Sequence, residues 1–248
     1  MSATDRRRFL QFAATLAAAS ALGPLARPSA ALAAAARMSP TERDALIVVD
    51  VQNCFVPGGA LPVDHGDEVV PIINRLAQGF RHVVLTQDWH TPGHASFASA
   101  HPSRKPFETI DMPYGKQVLW PDHCVQGTPG ADLVKDLAIP HAELIVRKGY
   151  RKDVDSYSAF YEADRRTPTG LGGYLKQRGF KRVFVAGLAT DFCVAWTALD
   201  ARREGFGVVV IEDACRGIDI DGSLAKAWAE MRKAGVGRIK SGDLAFMA

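Results

Sequence analysis

The chain is predicted to fold as a three-layer α/β/α sandwich around a mainly parallel, doubly wound sheet. Three observations predict it: short β-branched apolar runs, amphipathic helical patterns alternating with them, and a glycine at the point where each helix must stop. The buried strands are expected at Ala45 to Val51, His82 to Thr86, Glu143 to Val146, Arg182 to Ala186 and Val208 to Ile211. Helices are expected at Glu68 to Gln78, Leu171 to Arg178, Asp191 to Glu204 and Ser223 to Lys233, closed by Gly79, Gly179, Gly205 and Gly235. Strand, helix, strand repetition requires right-handed crossovers and a sheet covered on both faces. With 248 residues and 47% apolar composition, the chain can bury one sizeable core, which excludes disordered and collagen-like classes. One globular domain is expected over residues 37–248.

Residues 1–36 follow a different logic. Arg6, Arg7 and Arg8 precede Phe9 and Leu10, an Ala/Leu-rich run follows, and the segment ends in small residues around Ala31, Leu32 and Ala33. This layout resembles a twin-arginine (Tat) signal peptide, so export to the periplasm is expected. The apolar stretch from Phe9 to Leu25, about 17 residues, sits at the lower limit for a membrane span. Gly23 and Pro24 interrupt its end and favour cleavage, with no stable membrane association afterwards. Removing the segment takes away four arginines and Asp5, which leaves 26 basic and 26 acidic residues from the original 30 and 27. The mature protein then carries no net charge and has no electrostatic case for binding nucleic acid or anionic lipid.

In parallel sheets the working residues collect beyond the carboxyl ends of the strands. Asp50, Asp88 and Lys148 stand at the ends of the first three apolar runs, and Thr190, Asp191 and Cys193 follow the fourth. Cys193, in GLATDFCV, lies at the start of a helix, where free backbone N–H groups can lower a thiol pKa and bind an oxyanion. Asp50 ends an apolar strand; burial there raises a carboxyl pKa and suits it to taking and returning a proton. Lys148 can hold that carboxylate and balance the charge of the site. Cys54, Cys124 and Cys215 read as core residues.

The segment from Trp89 to Pro140 is long, lacks clear periodicity and is read as a functional loop. It contains His90 and His94 in QDWHTPGHASF, after Asp88, and His123 in WPDHCVQGTPG. One carboxylate with two or three imidazoles suits a single divalent ion, with Zn ahead of Fe or Mn. His65, His82, His101 and His141 lack such company. TGLGGY at 169–174 follows no strand and lacks the dinucleotide-binding spacing, so nucleotide binding is not expected.

Taken together, VVDVQNCF, QDWHTPGHASF, WPDHCVQGTPG, VRKGYRKDVDSYSAF and VAGLATDFCV resemble the nicotinamidase/pyrazinamidase branch of the isochorismatase-like cysteine hydrolases, from about Leu46 to Phe246. The resemblance implies an Asp50, Lys148, Cys193 triad and a metal bound by Asp88, His90 and His123, with His94 helping directly or through water. It also implies a cis peptide between Leu188 and Ala189, an oxyanion hole from the Ala189 and Cys193 N–H groups, and pocket aromatics Phe55, Trp120 and Tyr157. The expected reaction is hydrolysis of a small-molecule carboxamide, nicotinamide or pyrazinamide, through a cysteine thioester. Two rivals are another small-amide or ureido hydrolase of the superfamily and a periplasmic metal- or ligand-binding protein without catalysis. The oligomeric state, including a homo-oligomer, is left open. The chain departs from the family's usual pattern at Cys54, where an Asp is common, and in its export signal. Cys54 is thereby a candidate oxidised partner for another pocket cysteine.

Overall fold

The computed structural model describes residues 37–246. Residues 1–36, read from the sequence as a signal peptide, lie outside the described residues. Eight strands and four α-helices appear in the order β1 (Asp44–Val49), α1 (Val69–Gln78), β2 (Val83–Asp88), β3 (Thr109–Met112), β4 (Gly115–Val118), β5 (Leu144–Lys148), α2 (Leu171–Gln177), β6 (Arg182–Leu188), α3 (Ala195–Arg203), β7 (Gly207–Arg216), α4 (Ser223–Lys233) and β8 (Gly237–Ile239). Six strands form one parallel sheet in the order β5-β2-β1-β6-β7-β8. Helices flank it, as expected of strands with no solvent-facing side. All six residues of β1 and all six of β2 are buried, which a sheet covered on both faces requires.

The chain winds outward from β1 to β2 and β5, then returns to β6 on the other side of β1 and continues to β7 and β8. The order therefore reverses between β1 and β6, and a crevice opens beyond their carboxyl ends. Close approach of these two strands depends on Gly187. A Cβ there would lie 2.1 Å from the Val49 carbonyl oxygen, and its φ of 121° is one that side chains disfavour. Beneath the crevice, Phe184 of β6 is fully buried and meets Phe80 edge to face at 5.0 Å.

Four details differ from the sequence reading. The loop between β2 and β5 contains a small antiparallel hairpin, β3 with β4, whose faces are mostly exposed and so leave little hydrophobic alternation to read. The short edge strand β8 has no fully buried residue and was equally illegible. β7 runs on to Arg216, five residues past the apolar run, because its extension still pairs with Leu188 of β6. The helix expected from Asp191 begins at Ala195, preceded by a π-helical turn over Thr190–Val194. Such single turns occur often at functional sites. Among the described residues, no helix is long and apolar enough to cross a membrane.

Candidate active site

The strand ends converge. Asp50 is the first residue past β1, Asp88 closes β2, Lys148 closes β5 beside Asp88 in register, and Cys193 lies in the π-helical turn after β6. Lys148 is fully buried, and its Nζ lies 2.8 Å from Asp50 Oδ2, 2.5 Å from Asp88 Oδ1 and 3.4 Å from Cys193 Sγ. It also donates to the Ser156 carbonyl at 2.9 Å, which fixes its direction. Asp50 is oriented by Thr86, whose hydroxyl accepts from the Asp50 N–H and donates to Oδ1 at 2.5 Å. Asp50 Oδ2 has no hydrogen-bond donor of good geometry, and the Asp50, Asp88 and Cys193 ligand atoms all lie within 4.8 Å of one another.

Charge in this cluster is set by burial and by Lys148. Burial raises the Asp50 pKa, opposed by the Lys148 ammonium and reinforced by Asp88. Burial likewise pushes the Cys193 thiol well up against the pull of Lys148, so the resting sulfur keeps its proton. For Lys148 itself, burial favours the neutral amine, but Asp50, Asp88 and Cys193 outweigh it and hold the ammonium well above the ordinary lysine range. Burial also works against the Asp88 carboxylate, yet Lys148 and His90 together hold it below the usual carboxylate range.

Beside this cluster Asp88, His90 and His123 bring one ligand atom each within 4.8 Å of the others. His90 Nδ1 meets the Gly149 carbonyl at 3.0 Å and His123 Nδ1 meets the Pro121 carbonyl at 2.8 Å. Each ring therefore donates from Nδ1 and turns Nε2 toward Asp88 Oδ2, at 3.7 and 3.9 Å. These distances are too long for hydrogen bonds and leave space for a cation between the three atoms. Gly149 is required here, since a Cβ would sit 2.6 Å from His90 Cε1 and its φ is 67°. Burial and the neighbouring His90 push His123 down to about 4, which keeps its imidazole neutral. His94 stacks on His90 with ring centroids 4.5 Å apart, but its nitrogens meet Ser96 Oγ and the Arg151 carbonyl, both at 2.8 Å. It groups with His90 and Asp155 instead of the Asp88 set.

Phe55, Trp120 and Tyr157 line one pocket together with Cys193. The Tyr157 hydroxyl receives hydrogen bonds from Gln117 and Trp120 at 2.8 and 3.0 Å, which orients both rings. The cis peptide lies between Leu188 and Ala189, as the resemblance implied, and the Ala189 carbonyl accepts from the Phe192 and Val194 N–H groups, both at 3.1 Å. The sequence reading missed Leu61, Asp155, Phe192 and Ile218 in the pocket wall, and Gln52, whose amide bonds the Asp88 N–H and carbonyl at 2.8 and 2.9 Å. Gln52 and Thr86 did leave a signal: each is a polar residue set in an apolar strand or its immediate end. Cys54 and Cys124 are not plain core residues. They form a disulfide with Cα atoms 5.7 Å apart, joining the Phe55 loop to the His123 loop, while Cys193 and Cys215 are free.

Comparison with known proteins agrees with this geometry. The model of the isochorismatase domain matches residues 44–241. The chain belongs to the isochorismatase family. Within that family, a nicotinamidase of Acinetobacter baylyi is 56% identical over 208 residues, covering 84% of this chain and 97% of the relative. The solved structure of an Acinetobacter baumanii nicotinamidase and pyrazinamidase superposes with a TM-score of 0.82 at 60% identity, over 83% of this chain and 99% of that one. A Pyrococcus horikoshii pyrazinamidase solved in complex with zinc gives a TM-score of 0.66 at 36% identity, over 80% and 99% of the two chains.

Two measurements check the site. Lys148→Met leaves two buried carboxylates without their cation and is expected to cost roughly 3 kcal/mol or more in urea unfolding; a loss under about 1 kcal/mol would mean that the cluster does not depend on the ammonium. Thiol titration of the denatured protein is expected to find two free thiols before reduction and four after. Four before reduction would place Cys54 and Cys124 as an open pair.

Proposed function

We propose that the protein is a nicotinamidase, hydrolysing nicotinamide to nicotinate and ammonia and accepting pyrazinamide, with Cys193 as the nucleophile. The observation that carries this reading is the convergence of the Cys193 thiol, the Asp50 carboxylate and the Lys148 ammonium at one end of an aromatic pocket. Because burial keeps Cys193 protonated, its proton must leave as sulfur attacks the carboxamide carbon. Asp50, whose buried carboxylate lies within 4.8 Å of the Cys193 sulfur with Oδ2 facing the Lys148 ammonium at 2.8 Å, is the acceptor at hand. Asp50 then delivers that proton to the departing ammonia, leaving a thioester, and next takes a proton from the water that cleaves it. Lys148 keeps its charge throughout and opposes the rise that burial imposes on the Asp50 carboxyl. The Ala189 and Cys193 N–H groups are assigned to the oxyanion of both tetrahedral intermediates, each worth roughly 3 to 4 kcal/mol of barrier.

Asp88, His90 and His123 fit a divalent metal, zinc by the chemistry of the set, with His94 as its neighbour. When bound there, the ion supplies a Lewis-acidic anchor for the pyridine nitrogen or its water. Phe55, Trp120 and Tyr157 hold a flat ring, which favours a pyridine carboxamide over an aliphatic ureido substrate.

Residues 1–36 are assigned as a Tat signal, with the mature protein, 37–248, acting in the periplasm. The Arg6, Arg7, Arg8 run supports this reading, as does the Cys54–Cys124 disulfide, a bond that persists in oxidising compartments.

Ammonia release from nicotinamide by the purified protein is the direct test. Cys193→Ala is expected to abolish it, and chelation to weaken substrate capture mainly through KM, with recovery on adding zinc. Turnover surviving in Cys193→Ala would refute covalent catalysis at this residue. Cell fractionation is expected to find the protein in the periplasm and to lose it there when Arg6 to Arg8 become lysines; unchanged export would exclude the twin-arginine route.

A further inference from the structure

Asp191 is a buried carboxylate that the proposed reaction does not use. It lies two residues before Cys193 in the π-helical turn, yet it caps nothing in that turn. Its side chain reaches instead across to the loop between β7 and α4. Oδ1 accepts from the Ile218 N–H at 3.0 Å, and Oδ2 accepts from the Asp219 N–H at 2.8 Å and from the Ser223 hydroxyl. All three donors are neutral dipoles. The loop they belong to needs such a hold, because Asp219 and Asp221 both adopt left-handed backbone with φ of 57° and 50°. Within that loop Ile218 is the residue that reaches the substrate pocket, where it faces the same space as Cys193, Ala189 and Phe192.

We infer that Asp191 is a positioning residue: it ties the nucleophile's turn to the β7–α4 loop and thereby seats Ile218 as a wall of the substrate pocket. The inference deepens the nicotinamidase reading and rests on it for the identity of the ligand, a flat pyridine carboxamide packed against that wall. A carboxylate is required because three donors converge on two oxygens. An asparagine would turn an NH2 donor toward at least one of them, leaving a buried N–H opposed. Ile218 touches the ring's space and no reacting group, so loosening it acts on capture of the substrate and not on the bond-breaking steps.

Steady-state kinetics on nicotinamide, with the full-length protein, tests this. Asp191→Asn is expected to raise KM about tenfold while kcat stays within about twofold. Ile218→Ala is expected to raise KM alone, and the double variant to be no worse than the poorer single one, since both act through one contact. A fall in kcat at unchanged KM, or additive effects in the double variant, would overturn the inference. Hydrogen exchange supplies a readout that needs no turnover: amides of residues 217–222 are expected to exchange faster in Asp191→Asn, and unchanged protection would also overturn it. Should that variant fail to fold, Ser223→Ala removes one of the three donors and is expected to shift KM and exchange in the same direction by less; no shift in either counts against the inference. Wild-type protein that releases no ammonia from nicotinamide would sink the nicotinamidase reading, while the exchange measurement still decides the hold of Asp191 on the loop.

Discussion

The ammonium of Lys148 has no access to solvent, and a full charge there is tolerable only because two carboxylates and a carbonyl surround it. Those carboxylates arrive from different strands, Asp50 past β1 and Asp88 at the end of β2, while Lys148 itself ends β5. The ion cluster thus joins three strand ends across the rim of the sheet. It also joins the two chemistries of the site. Asp88 turns Oδ1 to Lys148 and Oδ2 to His90 and His123, so one side chain belongs both to the buried ion cluster and to the group it forms with the two histidines.

Sheet topology explains why these groups meet. With the strand order reversing between β1 and β6, the crevice beyond the carboxyl ends receives Asp50 from one side and the Ala189 to Cys193 turn from the other. The close pairing of β6 with β1, permitted by Gly187, sets the separation of Asp50 and Cys193. Burial then acts on protonation: the same desolvation raises the Asp50 carboxyl and keeps the resting Cys193 a thiol.

The pocket wall is built from parts that lie far apart in the chain. The Phe55 and His123 loops are joined by the Cys54–Cys124 disulfide, across a sequence separation of 70 residues. Ile218 comes from a loop between β7 and α4 and is held by hydrogen bonds to Asp191. Rigidity in the walls costs the enzyme little at the moment of binding, because the ordering has already been done on folding.

Much of this molecule was legible from the chain alone, and for a physical reason. Buried parallel strands are continuous apolar runs, and an ionisable residue at the end of such a run must have a function or a partner; Asp50, Asp88 and Lys148 stood out on that ground, and Cys193 followed the fourth run. Motif grouping marked Asp88, His90, His94 and His123 as a ligand set, since imidazoles beside a carboxylate are rarely grouped by packing, and the family resemblance narrowed it to Asp88, His90 and His123. What the chain could not disclose depends on distance in space. The tie of Lys148 to Asp88 as well as Asp50, the choice of Cys124 as the partner of Cys54, the engagement of His94 with Ser96 and Arg151, and the reach of Asp191 to the Ile218 loop are contacts or backbone geometries with no local pattern. The hairpin β3–β4 and the edge strand β8 escaped for the converse reason: neither buries a continuous face, so neither imprints the periodicity by which a strand is recognised.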